Sequence, residues 1–551
     1  MKTKKYSRAI LIFTCLFLLV NSITAQNLKS NVDAIIAQDY LKDAPGISIL
    51  IAKNGKTIYT NATGLANMEL EVPLSSNSVF EIGSITKQFT SISILMLEEQ
   101  GKLSITDNIT KYIPDYPTHG KTITIHHLLN HTSGIKSYTA MQSFVSQARK
   151  DMTPTELIDV FKDEPMDFDP GEKFRYNNSG YILLGHIIEV ITKNSYADFI
   201  EKNIFEPVGM TSSYYGSMKK IIPNRASGYS KRNNNIVNAD YLSLTLPYAA
   251  GSIMSTVGDL LKWQNALNAN QLIKRSSLEK AIHGSTLNNG EKINYGYGLI
   301  ASNLNGSQTI EHSGGIFGYS TNGIYLPKED VYVIGLTNCD CSNAKQIVSK
   351  VAATVIGKPF YNKKDAITLN ETQLKKWVGS YQFDENVIRF VTIKDGKIYS
   401  QREGSDKLEI HPMSESTFMF DGSTTSYKFA MKNGKKEATM TTNGKKTIGK
   451  EINKGAPAEK KEITLSGEIL QQYVGTYELA PTFSIKISVR ESRIFGVATG
   501  QPEVELFPHS KNAFFLKVVK AEIIFDRNEL GKVTQLTLHQ NGQKMPGKKV
   551  E

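Results

Sequence analysis

One stretch of the chain is written twice, and that constrains the architecture of its last third. Leu374, Trp377, Val378, Gly379, Ser380 and Tyr381 return as Leu470, Tyr473, Val474, Gly475, Thr476 and Tyr477. The same offset carries Tyr399 onto Phe495, Glu409 onto Glu505, Pro412 onto Pro508 and Phe418 onto Phe514. A correspondence held without a gap over about 45 residues marks an internal duplication. Two copies are too few for a solenoid, which needs about three. Each copy consists of short runs of alternating polarity punctuated by turn pairs such as Asn433-Gly434 and Asn443-Gly444, the signature of hairpins. The chain is therefore expected to end in two β-rich modules, 361–455 and 462–551, joined by a linker over 455–461. Nothing in either copy points to catalysis.

The function must come from what precedes the duplication. A chain of 551 residues exceeds what one core organises. At 40% hydrophobic and 21% charged, its composition is ordinary for globular domains. Residues 1–25 stand apart: Lys2, Lys4, Lys5 and Arg8 precede an apolar run from Ala9 to Val20, followed by Ser22, Thr24 and Ala25. These are the regions of a secretory signal peptide, with cleavage expected after about Ala25. The run is shorter than the roughly 20 residues that span a bilayer. No stable transmembrane segment is expected after cleavage, and the mature protein is expected to be periplasmic or secreted. Beyond Cys15 in the leader, the cysteines are Cys339 and Cys341, read as two small strand residues too close for a good disulfide. Nothing suggests a metal site.

The formal charge of +11 invites a nucleic-acid or membrane partner, but its distribution argues against one. The leader holds four basic residues and the chain after residue 360 an excess of about +7, leaving the middle near neutral. The late lysines sit in turns without interleaved aromatics, so they read as a solvated surface.

Between residues 26 and 360, helix and strand patterns mix. Ile47–Ile51 and Thr57–Tyr59 flank Asn54-Gly55, a hairpin signal. Pro154–Phe161, Tyr181–Ile191 and Asp259–Leu267 show helical spacing. So does the run Ile85, Phe89, Ile92, Leu95, which puts Ser84 at a helix N-terminus and Lys87 one turn along the same face. A serine hydroxyl needs a neighbouring base before it attacks, and a close lysine can be that base or tune another. Ser-x-x-Lys alone is weak: it also occurs at Ser133, Ser217, Ser277 and Ser342. A second element, Tyr176-Asn177-Asn178, precedes the helix at Tyr181. Its tyrosine, with a pKa depressed by a lysine, could act as a base, and Asn178 could hold both lysine and substrate. The third, His312-Ser313-Gly314-Gly315, lies between the polar stretch Ser307–Glu311 and a strand-like Tyr319–Leu326. Its glycines allow close backbone approach, and an amide there could pair with that of Ser84 as an oxyanion hole.

The trio Ser-x-x-Lys, Tyr-x-Asn, His-x-Gly resembles the serine β-lactamase and DD-peptidase superfamily, in particular its class C-like branch with related esterases. The surrounding text agrees: Phe80-Glu81-Ile82-Gly83, Ile125-His126-His127-Leu128-Leu129-Asn130-His131-Thr132-Ser133-Gly134, Gly251-Ser252-Ile253-Met254-Ser255 and Tyr295-Gly296-Tyr297-Gly298. The resemblance covers about residues 28–355. It implies an α+β fold in which an antiparallel sheet flanked by helices adjoins a helical lobe, with Ser84 between them. The two terminal modules are similar to small β-barrel-like accessory domains attached to serine hydrolases of bacterial envelopes.

Carried onto this chain, the resemblance makes Ser84 the acylated nucleophile, Lys87 its activating partner and Tyr176 the general base and later acid. Asn178, His312, Ser313 and Gly314 would bind substrate, with the amides of Ser84 and Gly315 on the oxyanion. His126, His127 and His131 match no catalytic role and are assigned to packing. His312 stands where β-lactamases of this branch carry lysine, so a permanent cation for a substrate carboxylate is missing. The expected activity is an exported serine hydrolase working through an acyl-enzyme, without metal or organic cofactor. Its substrate is expected to be an amide or ester, such as a D-amino-acid peptide of cell-wall type. An esterase or β-lactamase on the same scaffold, and a slowly deacylating penicillin-binding sensor, stay open.

Overall fold

A computed structural model describes residues 28–384, 387–457, 462–480, 483–519, 521–540 and 543–551. The leader expected over residues 1–25 lies outside the described residues, as do 458–461 of the linker. Among the described residues, no helix is long and apolar enough to cross a membrane. The chain forms two compact units that divide after Tyr361, with Thr442–Lys445 grouped with the first.

The first unit is built on a six-stranded antiparallel sheet. Its strands are β1 (Ile47–Lys53), β2 (Lys56–Thr63), β3 (Ile300–Leu304), β4 (Ser307–Ile316), β5 (Tyr319–Leu326) and β6 (Val331–Thr337). They lie in the order β3-β4-β5-β6-β1-β2. Asn54 and Gly55, with φ of 51° and 69°, form the tight turn of the β1–β2 hairpin, as the sequence implies. The middle strands are buried on both faces, which is why β1 and β6 read as apolar runs instead of alternating. On one face Ile47, Ile49, Val331 and Val333 pack with Val32, Ile36 and helix α3 (Ala344–Val355). On the other, Leu50, Ala52, Ile334 and Leu336 join the core of a helical lobe.

Two helices organise that lobe, α1 (Thr86–Glu99) and α2 (Asn178–Thr192). Helix α1 is buried nearly all round, as a central helix must be. Phe89 stacks on Trp263 with ring centroids 4.1 Å apart. Thr90 and Ser91 are satisfied by Tyr196, the Ala249 carbonyl and Tyr181. The architecture is the α+β arrangement expected.

One stretch finds its place and one expectation needs correction. The polar stretch Ser307–Glu311 belongs to β4; its alternate residues Ser307, Thr309 and Glu311 point inward and are buried. Ser307 bonds Glu329 and Lys358, and Glu311 pairs with Lys345, so buried polar partners replace the apolar side chains that would betray a strand. Cys339 and Cys341 form a disulfide after all. The chain turns where β6 ends, and the two Cα atoms, 5.1 Å apart, fall within the span a disulfide bridges.

The second unit holds the duplication. The first copy forms a nine-stranded sheet from Gly379–Asp384 to Lys445–Ile452, and the second a closed barrel from Gly475–Ala480 to Gln543–Lys549. Matching positions play matching parts. Tyr381 donates to the Trp377 carbonyl at 2.7 Å, and Tyr477 to the Tyr473 carbonyl at 2.8 Å. Phe418 and Phe514, both fully buried, meet Phe429 and Phe525 edge-on at 5.6 and 5.5 Å. Truncating either to alanine should remove about 3–5 kcal/mol from its own module. Denaturant unfolding of Phe418→Ala and Phe514→Ala checks this; a loss below about 1 kcal/mol would show that the rings are not core anchors.

Candidate active site

Close backbone approach positions Ser84. A single 3-10 turn, Gly83–Ile85, precedes α1, and Gly83 adopts a φ of 51°. A Cβ at Gly83 would lie 3.0 Å from the Gly315 nitrogen, and one at Gly314 2.0 Å from the Ile82 oxygen. Glycine is what lets β4 press against this turn. Thr321 Oγ1 fastens it with a hydrogen bond to the Ile82 carbonyl, 3.0 Å. Strand β3 pairs with β4 only from Ser307 to Glu311, so the His312–Gly315 stretch lies beyond its cover.

Lys87 is fully buried. Its Nζ lies 3.1 Å from Ser84 Oγ, 2.8 Å from Asn178 Oδ1 and 2.8 Å from the Ala250 carbonyl. None of these partners is a carboxylate, and burial holds the amine well below the ordinary lysine pKa. Its N–H groups donate to the oxygens of Asn178 and Ala250, and in the neutral form the lone pair would face the Ser84 hydroxyl. Asn178 Nδ2 donates to Thr139 Oγ1 at 3.0 Å, which orients the amide. The adjacent Asn177 acts on the helix instead, capping α2 by accepting from the Gly180 N–H at 2.9 Å.

Tyr176 stands beside this pair, with Lys87 Nζ 4.9 Å from its ring centroid. The residue is 38% exposed, but its hydroxyl end is enclosed next to Ser84. Burial pushes the phenol above its usual range, opposed by a hydrogen bond with Ser84. The expected depression is therefore corrected. Desolvation of the hydroxyl outweighs that hydrogen bond.

His131 does more than pack. Its Nδ1 accepts the Asn177 N–H at 3.1 Å, and its carbonyl accepts the Arg175 N–H at 3.0 Å. Its ring lies 4.3 Å from that of Tyr176. His131 thus grips the backbone on both sides of Tyr176, and its signal in the sequence is the His131-Thr132-Ser133-Gly134 text. His126 bonds Tyr297 at 2.7 Å and Asn130 at 3.0 Å, and neither partner is one of those that hold Lys87.

The His312 segment divides. His312 is 2% exposed, with Nε2 2.9 Å from the Tyr295 hydroxyl and Nδ1 2.6 Å from the Ser313 carbonyl. Burial lowers its pKa to about 3, so the ring is neutral. His312 is not among the residues that line the cavity, and its contacts with Tyr295 and the Ser313 carbonyl brace β4. Gly314 faces Ile82, Ser313 pairs with Asn322 in the sheet, and Gly315 lines the cavity.

That cavity measures about 440 Å³ and is bounded by Ser84, Asn178, Gly315, Tyr138, Phe144 and Phe317 among others. Such a volume suits a small ligand. Tyr138 and Phe144 precede α2 in the chain and Leu242 follows it, so segments on both sides of that helix line the pocket.

The chain is also similar to known proteins. The Beta-lactamase family model matches residues 32–354, and a second, a domain of unknown function (DUF3471), matches 459–549. Penicillin-binding protein 4* of Bacillus subtilis is 30% identical over 414 residues, covering 70% of this chain and 90% of that protein. The structure of an octameric penicillin-binding protein homologue from Pyrococcus abyssi aligns with a TM-score of 0.54 at 27% identity. It covers 77% of this chain and 99% of its own. A D-stereospecific amidohydrolase from Streptomyces aligns at 0.51 and 26%, covering 61% and 98%. With its family model spanning more than half its length, the chain belongs to the Beta-lactamase family, the serine β-lactamase and DD-peptidase superfamily of serine hydrolases.

Proposed function

We propose that the chain is an exported acyl-enzyme hydrolase with Ser84 as nucleophile, acting on amides or esters of D-amino-acid type, including cell-wall peptides. The observation that carries this reading is the three-way contact of Lys87 with Ser84, Asn178 and the Ala250 carbonyl. Ser84 Oγ attacks the substrate carbonyl as its proton passes to the neutral Lys87 amine. The N–H groups of Ser84 and Gly315 receive the oxyanion. Tyr176, a protonated phenol close to Ser84, hands a proton to the leaving group and regains one from Lys87. Water then releases the acyl group by the reverse relay. Among similar proteins, a penicillin-binding protein and a D-stereospecific amidohydrolase support this substrate class. In this reading residues 1–25 are a removed leader, 26–360 the hydrolase, and 361–455 and 462–551 accessory modules.

The test is hydrolysis of a D-alanyl peptide, a small ester and a cephalosporin by the purified protein. Peptide turnover with little cephalosporin loss is expected, because a fixed cation for the β-lactam carboxylate is lacking. Rapid ester cleavage with an inert peptide would move the assignment to an esterase. Covalent labelling without product would move it to a sensor. A protein ending at residue 360 should keep its labelling by a fluorescent penicillin; loss of labelling in a folded truncation would make the modules part of the site.

A further inference from the structure

We infer that Asp340 is the charge that selects substrate in this cavity, and that the preferred substrates carry a protonated amine. This rests on the serine hydrolase reading above and names the substrate class for it. Among the described residues that line the cavity, Asp340 alone bears a formal charge. Burial lowers the pKa of the two other groups near the site that could have been cations, Lys87 and His312, and neither lines the cavity. The cavity is thus net anionic, and its remaining lining is largely apolar, including Phe144, Leu242, Ile316 and Phe317. Asp340 itself is exposed, so it acts from the solvent-facing rim of this apolar cavity, favouring a cation there and disfavouring an anion.

Asp340 is also held in place. It sits between the two cysteines of the Cys339–Cys341 disulfide. Its Oδ2 accepts from the Gly318 N–H at 2.9 Å and from the Ser230 hydroxyl at 2.6 Å. Its own N–H donates to the Tyr229 carbonyl at 3.1 Å. Two segments outside its own therefore orient the residue, and among the described residues no lysine or arginine pairs with it. Two donors on Oδ2 and a disulfide on both flanks make a preorganised anion. Gly318 belongs to the β4–β5 turn that follows Gly315, so the charge stands at the hairpin side of the same cavity as Ser84. An amine-bearing acyl compound meets both: its carbonyl at Ser84 and its ammonium at Asp340.

The experiment compares D-alanine p-nitroanilide with its N-acetyl derivative, using p-nitrophenyl acetate to report acylation without an amine. The full-length protein should prefer the free amine. Asp340→Asn keeps acceptors for Gly318 and Ser230 but loses the charge. It should lower kcat/KM for the free amine about tenfold or more, mostly through KM, and leave p-nitrophenyl acetate unchanged. Asp340→Lys should reverse the preference toward an N-succinyl derivative. Equal selectivity in wild type and Asp340→Asn, with p-nitrophenyl acetate turnover intact, would overturn the assignment while leaving the hydrolase reading standing. Loss of p-nitrophenyl acetate turnover in Asp340→Asn alone would make Asp340 structural and also overturn it. A wild type inert to p-nitrophenyl acetate and unlabelled by penicillin would remove the hydrolase reading itself.

Discussion

Ser84→Ala should abolish turnover and covalent labelling together, with kcat/KM falling by about 10⁴-fold or more. The size of the effect follows from what the side chain is asked to do: without its oxygen no acyl-enzyme forms, and the oxyanion donors alone give residual catalysis. Folding should be spared. The substitution removes one hydroxyl at the cavity wall and one contact with Lys87, so stability should change by no more than about 1 kcal/mol. Intact mass after incubation with a fluorescent penicillin is the direct readout, with an adduct on the wild type and none on the variant. Full residual activity would remove Ser84 from its role. The other Ser-x-x-Lys pairs make good controls. Lys136, Lys280 and Lys345 are each bound to a carboxylate, of Asp167, Glu98 and Glu311. None of their serines lines the cavity, so Ser277→Ala should leave the rate unchanged.

The contrast among these lysines shows what the residue string can and cannot convey. Spacing puts Ser84 and Lys87 on one turn of a helix, and the helix is there. It cannot say which lysine lacks a carboxylate, because that depends on chain segments far away in sequence. The Ala250 carbonyl that receives Lys87 is a backbone group and leaves no mark of its own; only the neighbouring Gly251–Ser255 text hints at the segment. His131 is visible as a residue of a motif, but its grip on Asn177 is a main-chain contact that motif reading misses. The sign of the shift at Tyr176 is hidden too, because it turns on how deeply the fold buries the hydroxyl. The duplication is the most legible feature, since an aromatic core repeated at one offset needs no tertiary knowledge to detect. Tyr381 and Tyr477 even repeat the same carbonyl contact. The disulfide is obscured for the opposite reason: separation in sequence is a poor guide where the chain turns.

Lys87→Met should inactivate the protein and at the same time change how its stability depends on pH. Loss of the base is expected to lower kcat/KM by about 10²- to 10⁴-fold. Methionine fills the same buried space without a charge to desolvate. Well above pH 10.5, the ordinary lysine value, the folded and unfolded wild type both hold the amine neutral. As pH falls below that value the unfolded chain takes up a proton that the folded protein, with its lowered pKa, does not. The wild type should therefore lose stability on acidification, by about 1.4 kcal/mol per pH unit for this one group, until the folded pKa is reached. Lys87→Met lacks that slope. Against it stands a fixed loss, because the Asn178 and Ala250 oxygens are left without their donor, at about 1–3 kcal/mol each. That loss does not vary with pH, so the slope of the difference separates the two effects. Denaturant unfolding of both proteins between pH 7 and 9 should show the variant's relative stability declining as pH rises. A difference flat across that range would mean that Lys87 is charged in the folded protein. The proton of Ser84 would then have to go elsewhere, and Tyr176, not Lys87, would be the group to test as base.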